Sequence, residues 1–267
     1  MSVIYNKVAL IGLGLIAGSI ALAAREAGVA GKISGTSRSA KTRAAARDLK
    51  LVDEVVDNPA AAVRNADLVI LCVPVGAMGK VMSEIKPHLK PGAVVTDVGS
   101  VKQEVIAQVT PHLPDNVHFI PGHPLAGTEH SGPYSGFAEL FENRWWLLTP
   151  LADTDPEQLS KLRRFIRTLG ANVEDMDAAH HDLVLAVTSH TPHLIAYTMV
   201  GVADHLKRVT ESEVIKYSAA GFRDFTRIAA SDPTMWRDVF LNNREATLDV
   251  LGRFTEELFA LQRAIRL

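Results

Sequence analysis

The 267 residues are 47% hydrophobic and 22% charged, with a formal net charge of −2 and a pI near 6.6, the balance of a globular protein able to bury a substantial core. No basic excess is available for nucleic acid or an anionic membrane, so any anionic ligand must be held by local positive groups. The single cysteine, Cys72, stands inside the apolar run LVILCVPV; it excludes an intrachain disulfide and reads as a packed strand residue suited to a reducing cytoplasm.

Short apolar runs open the chain: KVALI at Lys7, KISGT at Lys32, LVILCV at Leu68, AVVTD at Ala93 and HFI at His118. Helical patterns separate them, which predicts a parallel sheet with crossover helices. Gly12, Gly14 and Gly18 interrupt the apolar stretch Val8–Ala24, so it is not a signal peptide or a membrane span, and no second long apolar run follows. The segment PGHPLAGTEHSG, residues 121–132, is too rich in glycine and proline for a helix or a regular strand and is expected as a cleft or surface loop. Two further runs, WWLLT at Trp145 and NVEDM at Asn172, bracket a helix beginning after Asp155-Pro156 and are expected to extend the same sheet. Helical periodicity then takes over, with one long stretch from Asp232-Pro233 to Leu267. The fold class is therefore α/β: a doubly wound Rossmann-type domain over residues 1–175, followed by an all-α domain over 176–267. About ninety residues of apolar-faced helix cannot easily cover themselves, so a homodimer contact is expected there.

In VALIGLGLIAGS, Gly12 and Gly14 follow a strand and precede a helix, with Ala17 at the third position of the G-x-G-x-x-G/A fingerprint. Gly12 permits the tight turn, Gly14 lets backbone approach a pyrophosphate, and Ala17 allows close helix packing, so a dinucleotide is predicted at the helix N-terminus. At the end of the second strand an NAD enzyme normally offers a carboxylate to the ribose. Here Thr36, Ser37, Arg38 and Ser39 stand in that turn, followed by Lys41 and Arg43, with no Asp or Glu. Hydroxyls and a guanidinium suit a 2′-phosphate, so NADP is preferred, with NAD still possible.

Polar groups concentrate in DVGSVK at Asp97, in the loop at Pro121, in SHTPH at Ser189 and in GFRDFTR at Gly221. Ser100 and His123 follow predicted strands and are expected at the carboxyl edge of the sheet, where ligands of this fold collect. His190 and His193 could be metal ligands, but no HExxH or cysteine set accompanies them, and no metal site is assigned. His180 and His181 precede Asp182 at a helix start and read as surface residues, while Trp236 with Phe240 reads as core or interface.

Together, GLGLIAGS, DVGSVK, GHPLAGTEHSG, SHTPH and GFRDFTRIAASDPTMWRD resemble the prephenate and arogenate (cyclohexadienyl) dehydrogenases of tyrosine biosynthesis, from about Lys7 to beyond Arg237. The resemblance implies oxidative decarboxylation of prephenate or arogenate. In it His123 accepts the proton of the ring C4 hydroxyl, Ser100 hydrogen-bonds beside it, and Arg227 binds the ring carboxylate. It further implies that Ser189, His193 and Thr128 serve the substrate, and that Glu129 and Asp224 serve it too, orient Arg227 or bridge subunits. Cofactor contacts are implied at Gly12, Gly14, Leu15, Ile16, Ser37, Arg38, Ser39, Val73, Pro74 and Ser100. Within the sequence nothing resembles a chorismate mutase segment or a regulatory domain, so any feedback by tyrosine is expected at the active site. A 3-hydroxyacid or 6-phosphogluconate type of dehydrogenase would need a catalytic lysine where this chain has His190 and His193. A non-enzymatic NADP sensor would have no use for His123, Ser100 and Arg227 together.

Overall fold

The computed structural model describes residues 2–128, 130–207 and 218–267, and the chain divides into two compact units, Met1–His181 and Asp182–Leu267. In the first unit six strands pair in parallel: β1 (Tyr5–Ile11), β2 (Ala30–Thr36), β3 (Glu54–Val55), β4 (Leu68–Leu71), β5 (Val94–Asp97) and β6 (His118–Phe119). Their order is β3-β2-β1-β4-β5-β6, the doubly wound arrangement whose switch point lies between β1 and β4. Two-residue β3 was not expected; a strand so short leaves no apolar run in the sequence.

The apolar runs serve two cores, as strands covered on both faces must. Val8, Leu10, Leu68, Ile70 and Val94 pack on one face, with α1 (Leu15–Glu26) and with Leu162 and Phe165 of the helix that follows Asp155. Ala9, Ile11, Val69, Leu71 and Val95 pack on the other. Between β2 and β3 runs α2 (Ala40–Asp48), and the second face is covered by α3 (Pro59–Val63), α4 (Met78–Ile85) and α5 (Gln103–Val109). The helix predicted after Asp155 is α6 (Pro156–Thr168), with Asp155 accepting from the Glu157 and Gln158 amides and Pro156 in the first turn.

WWLLT and NVEDM do not extend this sheet. They form β8 (Trp145–Leu148) and β9 (Asn172–Asp175) of a separate three-stranded sheet, in which β8 pairs antiparallel with β7 (Gly122–Pro124) and parallel with β9. The start of the glycine- and proline-rich loop is thus a short strand. The cause lies at the end of β6: the Ile120 amide still reaches the Val95 carbonyl at 2.9 Å, but Pro121 has no N–H. The next amide, Gly122, is taken by the Asp97 carboxylate at 3.0 Å. The parallel ladder ends there and the chain pairs with β8 instead. Cys72 lies one residue beyond β4 and is half-buried; burial, and secondarily the Asp97 carboxylate, push its thiol pKa up, so it stays protonated.

Among its described residues the second unit contains helices and no strand. From α7 (Ala178–Leu185) a π-helical turn over Ala186–His190 leads into α8 (Thr191–Lys207). Then come α9 (Ala220–Thr226), α10 (Pro233–Asn242) and α11 (Arg244–Arg266). The helical run Ala178–His205 is, by length and composition, apolar enough to cross a membrane, which the sequence expectation overlooked. It carries the buried polar residues His181, Asp182, His190 and Thr191, while Leu183, Val187, Met199, Val200 and Val202 are exposed. The long stretch expected to run to Leu267 is broken at Asn243, whose buried side-chain amide donates to the Asp182 carbonyl at 2.7 Å and to His190 Nδ1 at 3.0 Å.

Candidate active site

Gly12 adopts φ +102°, and a Cβ there would lie 2.3 Å from the Cys72 carbonyl oxygen, so only glycine fits between β1 and the turn after β4. Its amide donates to the Thr36 carbonyl at 2.9 Å, which draws the ends of β1, β2 and β4 together. Gly14 is the N-cap of α1, no side chain caps that helix, and no atom lies within 4 Å of where a Gly14 Cβ would stand. Leu15 and Ile16 form the first helical turn, half-buried, while Ala17 is fully buried. An uncapped helix N-terminus opening on clear space fits a pyrophosphate. Backbone amides of Gly14, Leu15 and Ile16 would hold it, with Val73 half-buried and Pro74 exposed on the adjoining turn.

At the end of β2 the groups divide. The Thr36 hydroxyl is committed to the Val56 carbonyl at 2.8 Å. Arg43 lies under the turn, donating to the Ser37 and Arg38 carbonyls at 2.6 and 3.1 Å and to Asp57 at 3.2 Å. It therefore shapes the turn and is not the group offered to a ligand. Ser39 caps α2 through the Thr42 amide. Ser37, half-buried, and Arg38, exposed, remain for the adenosine end of a dinucleotide.

Beyond β5 the site is organised by a buried ion pair that sequence reasoning passed over. Asp97 and Lys102 are both fully buried and bonded to each other. Asp97 also accepts from the Gly99 amide at 2.8 Å and the Gly122 amide at 3.0 Å, and Lys102 donates to the Gly122 carbonyl at 2.6 Å. The residues immediately before Ser100 and His123 thus hang on one carboxylate, so both segments share one anchor. Ser100 is half-buried. His123, on β7 opposite Leu147, is 8% exposed, and its Nδ1 lies 2.9 Å from Nε2 of His181. His181 is 0% exposed; the expectation of a surface residue is wrong, because α7 turns this side chain inward while its neighbour His180 stays exposed.

Thr128 is exposed on the loop and bonded to the His130 backbone, and Glu129 lies outside the described residues. In the second unit, the π-helical turn places the Ser189 carbonyl 2.9 Å from Nδ1 of His193. A carbonyl only accepts, so the proton sits on Nδ1 and Nε2 keeps its lone pair. Burial holds the pKa of His193 below the usual imidazole value, against the opposing pull of that carbonyl, so the ring is neutral at pH 7. It stacks on Trp236 with centroids 3.5 Å apart, and Trp236 in turn meets Phe240, as expected for a core pair. His190 instead accepts from Asn243, and among the described residues no three His, Cys, Asp or Glu side chains gather as a metal site. Asp224 and Arg227 are exposed, three residues apart across the end of α9.

Comparison with known proteins follows the two units. Residues 20–175 match the family model for the prephenate dehydrogenase nucleotide-binding domain, and residues 177–267 match that for the prephenate dehydrogenase dimerization domain. The chain is 43% identical to a cyclohexadienyl dehydrogenase of Zymomonas mobilis, over 98% of this chain and 89% of that one. Its fold superposes with TM-score 0.90 and 35% identity on a prephenate dehydrogenase from A. aeolicus solved with hydroxyphenyl propionate and NAD+, covering 97% of this chain and 90% of that one. A Synechocystis arogenate dehydrogenase gives TM-score 0.79 at 31% identity, covering 97% and 92%. With a Rossmann sheet, a buried histidine at its carboxyl edge and both family domains present in order, the chain belongs to the prephenate dehydrogenase family.

Proposed function

We propose that His123 is the base in the reaction of this chain, the oxidative decarboxylation of a cyclohexadienyl acid in tyrosine biosynthesis. One observation carries the assignment: His123 is a buried imidazole whose Nδ1 is engaged inside the protein, anchored with the Ser100 segment at the carboxyl edge of a dinucleotide-binding sheet. A bound pyridine nucleotide supplies the acceptor for the hydride of ring C4. His123 draws the proton from the C4 hydroxyl as the C4–H electron pair leaves. The carboxylate on C1 departs as carbon dioxide, the ring becomes aromatic, and the phenolate takes the proton back. An imidazole suits this exchange because its usual pKa, about 6.5, leaves it neutral yet basic near pH 7. Ser100 hydrogen-bonds to the same hydroxyl, and the neutral His193 and Ser189 serve the side chain of the substrate. Prephenate and arogenate differ there by a ketone and an ammonium, and kcat/KM compared on the two decides the preference. Reduced nicotinamide followed by absorbance tests the whole reading; no reduction with either substrate and either cofactor sinks it.

Arg227 is proposed to hold the ring carboxylate with its planar fork. Arg227→Ala removes a charge-assisted contact of about 1.5 to 3 kcal/mol, which raises substrate KM by roughly 10- to 150-fold. An unchanged KM moves the carboxylate site elsewhere.

The cofactor is proposed to be NADP in preference to NAD, because the turn of residues 36–39 offers Ser37 and Arg38 and has no Asp or Glu of its own, and the nearby Asp57 is paired with Arg43. A charge-assisted contact to the 2′-phosphate sets the preference at roughly tenfold to a hundredfold in kcat/KM. Ser37→Asp reverses it, since a carboxylate there accepts the ribose hydroxyls and repels the phosphate. Arg38→Ala weakens NADP use and spares NAD. Equal use of both cofactors by the wild type overturns the assignment, and the NAD+ held by the A. aeolicus relative makes that comparison direct. The exposed apolar side chains Leu248, Leu258, Phe259, Leu261 and Ile265 of α11 suit a homodimer contact, the role described for the second family domain. With a lone free thiol, the chain is proposed to work in the reducing cytoplasm.

A further inference from the structure

We propose that His181 is a positioning residue that selects the tautomer of His123, an inference that rests on the reading of His123 as the base. The two rings meet edge to face, with centroids 5.1 Å apart and planes at 65°, and His123 Nδ1 lies 2.9 Å from His181 Nε2. A neutral imidazole has one donor and one acceptor nitrogen, so a bond between two such rings requires a proton on only one of the facing nitrogens. If His123 donates, its Nδ1 carries the proton and its Nε2 keeps the lone pair that a base needs. If His181 donates, the proton of His123 moves to Nε2, and the ring can only present a donor to the substrate hydroxyl. One bond therefore separates a competent base from an incompetent one, and His181 lies on the other side of it.

The placement of His181 follows from the start of α7. The Asp177 carboxylate accepts from the Ala179 and His180 amides at 2.9 and 3.0 Å, and the Asp177 carbonyl accepts from the His181 amide at 2.8 Å. This turn fixes the backbone from which the buried ring reaches β7. Once His123 has taken the substrate proton, its Nδ1–H bond to His181 becomes charge-assisted and stronger. A carboxylate partner would do the same while adding a buried negative charge. An imidazole provides the directional acceptor without one. The acceptor form of His181 thus favours the reactive tautomer before the reaction and the imidazolium during it.

The test uses the full-length protein labelled with 15N at histidine, in which long-range nitrogen–proton correlations report the tautomer of each ring. His123→Asn identifies the His123 signals by their loss. The wild type is expected to show His123 as the Nδ1–H tautomer. His181→Leu keeps apolar volume but removes the acceptor, and should move His123 towards the Nε2–H form. It should also lower kcat by roughly 10- to 100-fold with cofactor KM within about twofold, the size usual for loss of an orienting partner. His181→Gln places a carbonyl oxygen near the position of Nε2 and should recover both the tautomer and most of kcat. A wild-type His123 in the Nε2–H form overturns the proposal without need of any variant, as does a His181→Leu protein with unchanged tautomer and kcat. If the tautomer responds as expected but the wild type turns over neither substrate, the reaction assignment fails and the positioning role stands.

Discussion

His123→Asn is expected to lower kcat by roughly a hundredfold to ten-thousandfold while cofactor affinity changes little. Asparagine keeps a polar group at the Nδ1 position, facing His181, but it does not reach the substrate hydroxyl as Nε2 does and cannot take up a proton near neutral pH. The substitution leaves the backbone bonds that anchor this strand, Gly122 to Asp97 and Gly122 to Lys102, untouched, so a folding defect does not account for the loss. The wild-type rate should fall as pH drops through an imidazole pKa, because only the neutral ring is a base, and the variant should lack that limb. Steady-state kinetics across pH with saturating cofactor measures both, and a variant retaining more than a third of wild-type kcat removes His123 from the mechanism.

Lys102→Met is expected to destabilise the first unit by about 3 to 5 kcal/mol, the usual cost of leaving one partner of a buried ion pair without its counter-charge. Asp97 and Lys102 are both 0% exposed, so solvent cannot screen the carboxylate left behind. At the sensitivity of a domain of this size, that loss lowers the melting temperature by roughly 6 to 20 °C. The double variant Lys102→Met with Asp97→Asn should recover much of it, since an amide oxygen can still accept from the Gly99 or Gly122 amide and no buried charge remains. Thermal unfolding of the single and double variants decides the matter. A single variant melting within 2 °C of the wild type shows that water reaches the pair, and a double variant no better than the single assigns the cost to lost packing.

Much of the architecture is legible in local sequence because its causes are local. Five apolar runs became strands of the parallel sheet, and Asp155-Pro156 became the start of α6 through two side-chain caps. Gly12 occupies the left-handed turn that its place between strand and helix demanded. WWLLT and NVEDM were recognisable as strands for the same reason, but which sheet they joined was not. That was decided by Pro121 and by the capture of the Gly122 amide by Asp97, 25 residues away in sequence.

The candidate site divides along the same line. Glycine spacing, the absence of a carboxylate after β2 and the carboxyl-edge position of Ser100 and His123 could be read residue by residue, since they depend on turn geometry and strand order. The Asp97–Lys102 pair stood in plain view inside DVGSVK, but an acid and a base five residues apart also describe an ordinary solvated turn. His181 carried no signal at all: HHD at a helix start reads as a polar surface, and its partner is 58 residues distant. By itself the sequence determined most strands of the parallel sheet and the dinucleotide turn, because periodicity and turn chemistry act over a few residues, while its motifs carried the resemblance to the family. Only the tertiary structure decided which polar side chains leave water, since burial depends on segments remote in the chain, and it is burial that turned Lys102 into an anchor and His181 into the partner of His123.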